Sequence, residues 1–478
     1  MTPTDWKLIA LAVLAVGILV LLVTRWKVNA FAALLLAGLF VGGGAALMGV
    51  TYKPAGATEA RALSMLDVGK IFQDGMGATL GGIAAIIGFG TMLGKLLAES
   101  GGAEVLAKRF NAFFGPQRVG WCIMALALAV GLTTWFAVGL ILLLPILLTL
   151  TRETGQPFLR LALPLLSFLS VMHGVMPPHP GPVIAVEALH ANTGKVLLWG
   201  FLIGIPVAAI AGPLYARWAV KHVEAQPPEF VQKTGALREG LRLPGFGLTL
   251  FSILLPVLLM LLATLVELVK VQAAPGGAVA TFLASPTGAT ITKTAMFIGS
   301  PTIALLIAVL FALWALGTNC GHRPPQLMKF TEECIGAVGM TLLVVGGGGG
   351  FARVLKEVGV AGSMGAWADM MHLSPLLYGW LVAAFIRVAT GSATVAITTA
   401  SGLLIPVVAA HPGTNVELLV VCIGCGSLFL SHLNDGGFWI VKDCLGLSVQ
   451  QTLRTWTVCE TIVGLAGLGI TLLVSLFV

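Results

Sequence analysis

The sequence predicts an all-α polytopic membrane protein of about 10–12 spans, built as two structural repeats with a re-entrant hairpin in each. Three observations predict it: a composition too apolar for a soluble surface, apolar runs of spanning length from end to end, and an internal repeat interrupted at matching places. Of 478 residues, 57% are hydrophobic and 10% charged, against roughly 25% charged in a soluble chain. So few polar residues cannot clothe a soluble surface of this size. The apolar runs approach or exceed the ~20 residues a helix needs to cross hydrocarbon.

The runs fall near 8–24, 28–49, 79–98, 119–150, 160–176, 194–219, 246–270, 295–317, 335–352, 376–410, 414–431 and 456–478. The first, Leu8–Thr24, lies between Lys7 and the pair Arg25 and Lys27. No small-residue cleavage site follows it and another span begins at once, so it is expected to be a retained first helix rather than a signal peptide. The net charge of +7 sits mostly in short loops, the pattern of cytoplasmic loops beside a membrane. The longest basic loop, Arg217–Arg242 with Lys221, Lys233 and Arg238, is expected in the cytoplasm. Basic residues form no dense patch beside aromatics, which excludes nucleic acid as a partner. Seven cysteines are scattered and odd in number, and the Cys422-x-x-Cys425 pair has no second pair to complete a zinc site. No disulfide framework, metal or cofactor is expected.

Two runs, 119–150 and 376–410, are too long for one span and are broken in the middle, at Gly131-Leu132-Thr133-Thr134 and at Ala389-Thr390-Gly391-Ser392-Ala393-Thr394. Each break reads as two helices meeting at a tip inside the membrane, where non-helical backbone survives only against protein or a water-filled cavity. Residues 68–101 align with 326–359 without a gap. Phe72 then meets Phe330, Gly88 meets Gly346, Gly90 meets Gly348, Leu97 meets Leu355 and Glu99 meets Glu357, and farther on Thr134 lands on Ser392. A slightly shorter offset carries Glu187-Ala188-Leu189 onto Asp443-Cys444-Leu445. The expected organisation is N-terminal helices over 1–67, a first repeat over 68–219 with its tip near 131–136, a loop and connecting helices over 220–325, and a second repeat over 326–478 with its tip near 389–394. Paired halves with broken helices mark secondary transporters, whose site lies where the breaks converge near the midplane. Half-helix N-termini there offer free N–H groups and a positive dipole end, a seat for a carboxylate.

The motifs that could carry chemistry cluster around these breaks. His173-Gly174-Val175-Met176-Pro177-Pro178-His179-Pro180-Gly181-Pro182 follows an apolar span, and its prolines forbid a continuing helix. It predicts a rigid unwound segment beside the substrate, with Pro178 in the turn and His173 and His179 as donors or proton carriers. A plain surface turn is the bland alternative. Its second-half counterpart is Ser431-His432-Leu433-Asn434-Asp435-Gly436-Gly437-Phe438-Trp439. An ionisable group at membrane depth is costly and marks function by default. Asp435 is the first candidate for the proton-coupling acid, His432 its competitor, and Asn434 a binding residue; against this, Asp435 could simply cap the next helix. At the tips, Thr133, Thr134, Gly391, Ser392 and Thr394 bring hydroxyls and amides suited to a polyol with a carboxylate, although such hydroxyls also bond back to helix carbonyls. Arg387, just before the second tip, could grip a carboxylate in two prongs or pair with Asp435. Glu187, Lys442 and Asp443 read as structural.

Pro-Pro-His-Pro-Gly-Pro at 177–182, Ala-Thr-Gly-Ser-Ala-Thr at 389–394 and Ser-His-Leu-Asn-Asp-Gly-Gly-Phe-Trp at 431–439 resemble the gluconate permease family, over nearly the whole chain. The resemblance implies a proton symporter for gluconate or a close sugar acid in a bacterial inner membrane. It also implies a superfamily with two re-entrant hairpins, an elevator-type mechanism and a homodimer. Sodium-coupled relatives carry Ser-Asn-Thr tips; here Ala393 and Thr133-Thr134-Trp135 replace the amides, which favours protons over sodium. Other members take other sugar acids or D-serine, so the substrate within that set stays open. An enzyme is not expected, since no H-E-x-x-H or comparable set is present, and the punctuated tips fit a channel lined by repeated polar rings less well than a transporter.

Overall fold

In lipid every span must satisfy its own backbone N–H and C=O groups, so apolar runs of this length fold as helices. The computed structural model describes residues 1–54, 59–115, 118–223, 225, 242–272, 277–360, 362–363, 366–367, 374–433 and 435–478. Among these, strand structure is confined to the antiparallel pair β1 (Thr51–Tyr52) and β2 (Arg61–Ala62). Nine helices of the described residues are long and apolar enough to cross a membrane, ten with one bent pair. The chain is a multi-pass membrane protein. Most of the basic loop, Lys233 and Arg238 included, lies outside the described residues.

Helices α1 (Pro3–Thr24) and α2 (Ala30–Leu47) lead through the strand pair into α3 (Met65–Glu99). The start of α3 is fixed by Ser64 and Asp67, which cap each other's backbone amides. Arg61 and the Tyr52 hydroxyl both donate to the same Asp67 carboxylate. The apolar run had placed this helix from 79. It begins earlier because capping and amphipathic packing, rather than hydropathy, shape its first turns. Short α4 (Gly102–Phe114) then leads to α5 (Val119–Gly131) and α6 (Phe136–Thr154). Helices α7 (Phe158–Val175) and α8 (Pro180–Ala188) are separated by an unwound stretch containing a cis Pro177–Pro178 bond. Helix α9 (Thr193–Ala219) follows, and then α10 (Phe246–Gln272), α11 (Ala278–Ala284), α12 (Pro286–Ile298) and α13 (Pro301–Cys320).

The chain continues through α14 (Pro324–Glu357), α15 (Pro375–Thr390), α16 (Ala393–Ala410), α17 (Val416–Leu428), α18 (Gly436–Cys444) and α19 (Val449–Val474). A break separates α17 from α18 as another separates α7 from α8, and α8 and α18 are each nine residues long. Helices α3 and α14, of 35 and 34 residues, pack along each other through small residues. A Cβ on Gly75 would lie 2.7 Å from the Gly349 carbonyl, and one on Gly350 2.7 Å from that of Phe72. Such close backbone approach is how membrane helices associate without a hydrophobic drive between them.

Three shorter apolar helices of the described residues are too short to cross alone. The 13 residues of α5, the 16 of α15 and the 13 of α17 reach about 20–24 Å at 1.5 Å per residue, short of the ~30 Å of hydrocarbon. Helix α5 ends at Gly131 and α6 begins at Phe136, after the break Leu132–Trp135. Helix α15 stops at Gly391, whose φ of 72° is left-handed, and α16 starts after Ser392. Within α6 the axis bends by 44° between Phe136–Leu144 and Ile146–Thr154, at Pro145, which has no N–H to continue the ladder. One apolar core joins α5 to α9 with α15 to α19, and a second joins α1, α2, the start of α3 and the end of α14.

Candidate functional site

The two tips, the unwound stretch before α18 and helix α19 meet around a cavity of about 330 Å³, within the usual range for a small-ligand pocket. Three helix N-termini border it: Trp135, Phe136 and Ala137 of α6, Ser392, Ala393 and Thr394 of α16, and Asp435, Gly436 and Gly437 of α18. The first N–H groups of a helix have no partner within it. At α6 no side chain caps them, while Ser392 accepts from Val395 and Asp435 from Gly437. Their dipoles add a partial positive charge on the same space.

Arg387 lies in the last turn of α15 and is 4% exposed. Its guanidinium donates to the Gly391 carbonyl and to the Asp435 carboxylate, the latter at 2.5 Å. Its Nε is buried without a partner, so one donor of the fork is unspent. Asp435 caps α18 and accepts from Arg387, from the Ser431 hydroxyl and from Gly437 N–H at 2.7 Å. The capping role and the ion pair weighed as alternatives on the sequence are thus both present. The Trp456 indole N–H donates to the Ser431 hydroxyl at 2.7 Å, extending the network to α19.

Of the residues singled out in the sequence, His173, Arg387, Gly391, Ser392, Thr394 and Asp435 line the cavity. Thr133 and Thr134 do not. Both hydroxyls turn back to the Val130 carbonyl and finish α5, leaving Trp135 to Ala137 to face the cavity. Pro178 is buried in the cis bond behind the wall. His179 also stands behind it, donating from Nε2 to the Gly131 carbonyl at 2.6 Å. That bond satisfies the end of α5 and pins the first tip. His179→Ala is expected to leave this buried carbonyl bare and to cost about 1–3 kcal/mol. A thermal midpoint in detergent equal to that of the unaltered protein would contradict it. His432 donates to the Val388 carbonyl at 3.0 Å, outside the cavity wall. Asn434 lies outside the described residues. Lys442 and Asp443 pair with each other at 2.8 Å.

Part of the wall is formed by residues not singled out in the sequence: Trp135 and Phe136, Ser170, Ile440, Trp456 and Glu460. Phe136 and Trp456 lie ring to ring at 5.0 Å and form an apolar side. Glu460 is 1% exposed, and neither carboxyl oxygen has a hydrogen-bond partner. Its signal was available, since it is a lone acid within the last apolar run. Glu187 lies elsewhere, in a second cavity of about 330 Å³ between α3, α8, α14 and α16 that also holds Arg353 and Lys356.

The sequence matches the family described as GntP family permease over residues 6–477. It is 41% identical to a gluconate permease of Zymomonas mobilis, covering 97% of each chain. It is 39% identical to a gluconate permease of Pseudomonas aeruginosa, over 96% of this chain and 95% of that one. Matches also include a D-serine transporter of Escherichia coli, 32% identical over 97% of each chain. Among solved structures, the YdaH transporter of Alcanivorax borkumensis is similar with a TM-score of 0.59 and 16% identity, covering 92% of this chain and 97% of that one. At that identity the likeness speaks for the fold alone. With a family match over nearly its whole length and relatives near 40% identity, the chain belongs to the GntP family of permeases.

Proposed function

We propose that this permease moves gluconate or a closely related sugar acid together with a proton across the bacterial inner membrane. The observation that carries the reading is the convergence of three helix N-termini and Arg387 on one cavity. N–H dipoles and the unspent Arg387 Nε favour an anion. The hydroxyl side chains Ser170, Ser392 and Thr394 and the aromatic faces of Phe136 and Trp456 suit a hydroxylated carbon chain. The gluconate permeases among its relatives supply the substrate class, and the D-serine transporter supplies its rival, a small hydroxy-amino acid with the same carboxylate.

The breaks at 132–135 and 391–392 act as tips of re-entrant hairpins, and the halves over 68–219 and 326–478 as repeats. Short α5 and α15 support the first, and the matched order of helices and unwound stretches supports the second. Alternating access then carries the tips and their bound anion past α3 and α14 as an elevator, in a homodimer. Asp435 is held by Arg387, Ser431 and Gly437, and His432 donates to the Val388 carbonyl outside the wall. The test is uptake of labelled gluconate into proteoliposomes with and without an inward proton gradient, challenged by excess D-serine. Saturable, gradient-driven uptake indifferent to D-serine is expected. Inhibition by D-serine would move the substrate to the amino acid, and absence of gradient-driven uptake would sink the symport.

A further inference from the structure

The cavity holds one cation and two carboxyls among its described residues: Arg387, Asp435 and Glu460. Asp435 takes the guanidinium. Glu460 is not paired with a cation, its nearby polar neighbour is the Ser170 hydroxyl, and it lies one helical turn beyond Trp456, on the part of α19 that follows a π-helical turn at Leu453–Thr457. Such turns re-aim the residues after them and recur at functional sites. Here Trp456 and Glu460 both reach the cavity. A carboxyl buried without a paired cation is among the most costly groups a protein can hold. An acid retained in that position inside a membrane helix calls for a role.

Resting on the symport reading, we propose that Glu460 is the group that carries the coupled proton. In the closed geometry its carboxyl is protonated. When the cavity opens to water, the Glu460 O–H bond breaks, the proton passes to water and the solvated carboxylate remains. On the other face a hydronium ion returns a proton to the same oxygen. The charged and titratable groups that share the cavity are Arg387 from α15, Asp435 at the start of α18 and His173 from α7. Arg387 and Asp435 cancel, so an ionised Glu460 leaves the site at one negative charge. A monovalent anion that arrives with a proton on Glu460 leaves it there still. An anion without the proton would set two uncompensated negative charges side by side in a low-dielectric site, where like charges repel strongly. The site therefore links the anion to one proton.

The experiment uses the full-length protein in proteoliposomes and compares the unaltered chain with Glu460→Gln and Glu460→Asp. Two readouts are taken, gluconate accumulation under an inward gradient of one pH unit and gradient-free counterflow of labelled against unlabelled gluconate. One proton per monovalent anion gives the unaltered protein about tenfold accumulation, the equivalent of one pH unit. Glu460→Gln, a permanent mimic of the protonated acid, is expected to keep counterflow and to lose accumulation down to simple equilibration. Glu460→Asp is expected to keep accumulation with a displaced pH profile, which also decides the matter should the glutamine variant fail to fold. Accumulation retained by Glu460→Gln overturns the proposal. So do equal losses of counterflow and accumulation in a monodisperse variant, which would make Glu460 a binding or packing residue, and so does an unchanged pH profile in Glu460→Asp. If the unaltered protein shows counterflow but no gradient-driven uptake, the symport reading itself has failed, an outcome distinct from any result of the variants.

Discussion

Arg387→Met is expected to abolish uptake and to destabilise the protein by about 3–5 kcal/mol, the cost of leaving one member of a buried ion pair alone. The partner left behind is Asp435, 8% exposed and also bonded to Ser431 and Gly437. The Gly391 carbonyl at the second tip loses its donor too. Removing both charges in Arg387→Met/Asp435→Leu is expected to restore most of the stability, because an apolar pair of similar volume often replaces a buried ion pair at little or no cost. Transport should stay absent in the double variant, since the anion has lost its cation. Thermal midpoints in detergent and uptake in proteoliposomes separate the two effects. Recovery of uptake with recovery of stability would show that Arg387 is a structural strut and not part of the substrate seat.

The second large effect is expected at Gly424, where α17 crosses α7. A Cβ there would lie 2.4 Å from the Gly174 carbonyl and 3.3 Å from the Cα of Val175. The obstacle is backbone, which cannot swing aside as a side chain would. Gly424→Val should therefore cost at least the upper end of the 1–3 kcal/mol typical of overpacking and sharply lower the yield of monodisperse protein. Gly469→Ala in α19, where a Cβ would meet nothing within 4 Å, is the control and should be silent. Equal behaviour of the two variants would mean that the crossing of α7 and α17 tolerates separation.

Much of this was legible in the residues. The breaks near 131–136 and 389–394 were visible because they interrupt runs too long for one span, and the helices do end there. Arg387 and Asp435 stood out because charge at membrane depth is rare, and they form the central pair of the site. What escaped followed from three-dimensional placement. Thr133 and Thr134 resemble tip residues, but the last turn of α5 offers their hydroxyls the Val130 carbonyl, and a local acceptor wins over a distant ligand. His179 carries the same ring as His173, yet only its position beside Gly131 makes it a strut. Glu460 obeys the rule that marked Asp435, but no proline or glycine punctuation surrounds it. Nothing in its neighbours announces that α19 packs against the first tip. The start of α3 was hidden because hydropathy reports burial in lipid and is blind to a cap.

The convergence of α6, α16 and α18 has a consequence for how such a protein changes over generations. N–H groups belong to the main chain, and nearly every substitution leaves them in place. That share of the affinity for negative charge is held by the path of the backbone and is close to mutation-proof, whereas the share supplied by Arg387 is not. The side chains around it, Trp135, Ser170, Thr394 and Ile440, are free to vary in size and polarity one at a time. A lineage on this scaffold can exchange one carboxylate cargo for another by single steps, each passing through a working protein, because charge recognition and shape recognition are inherited on separate parts of the molecule.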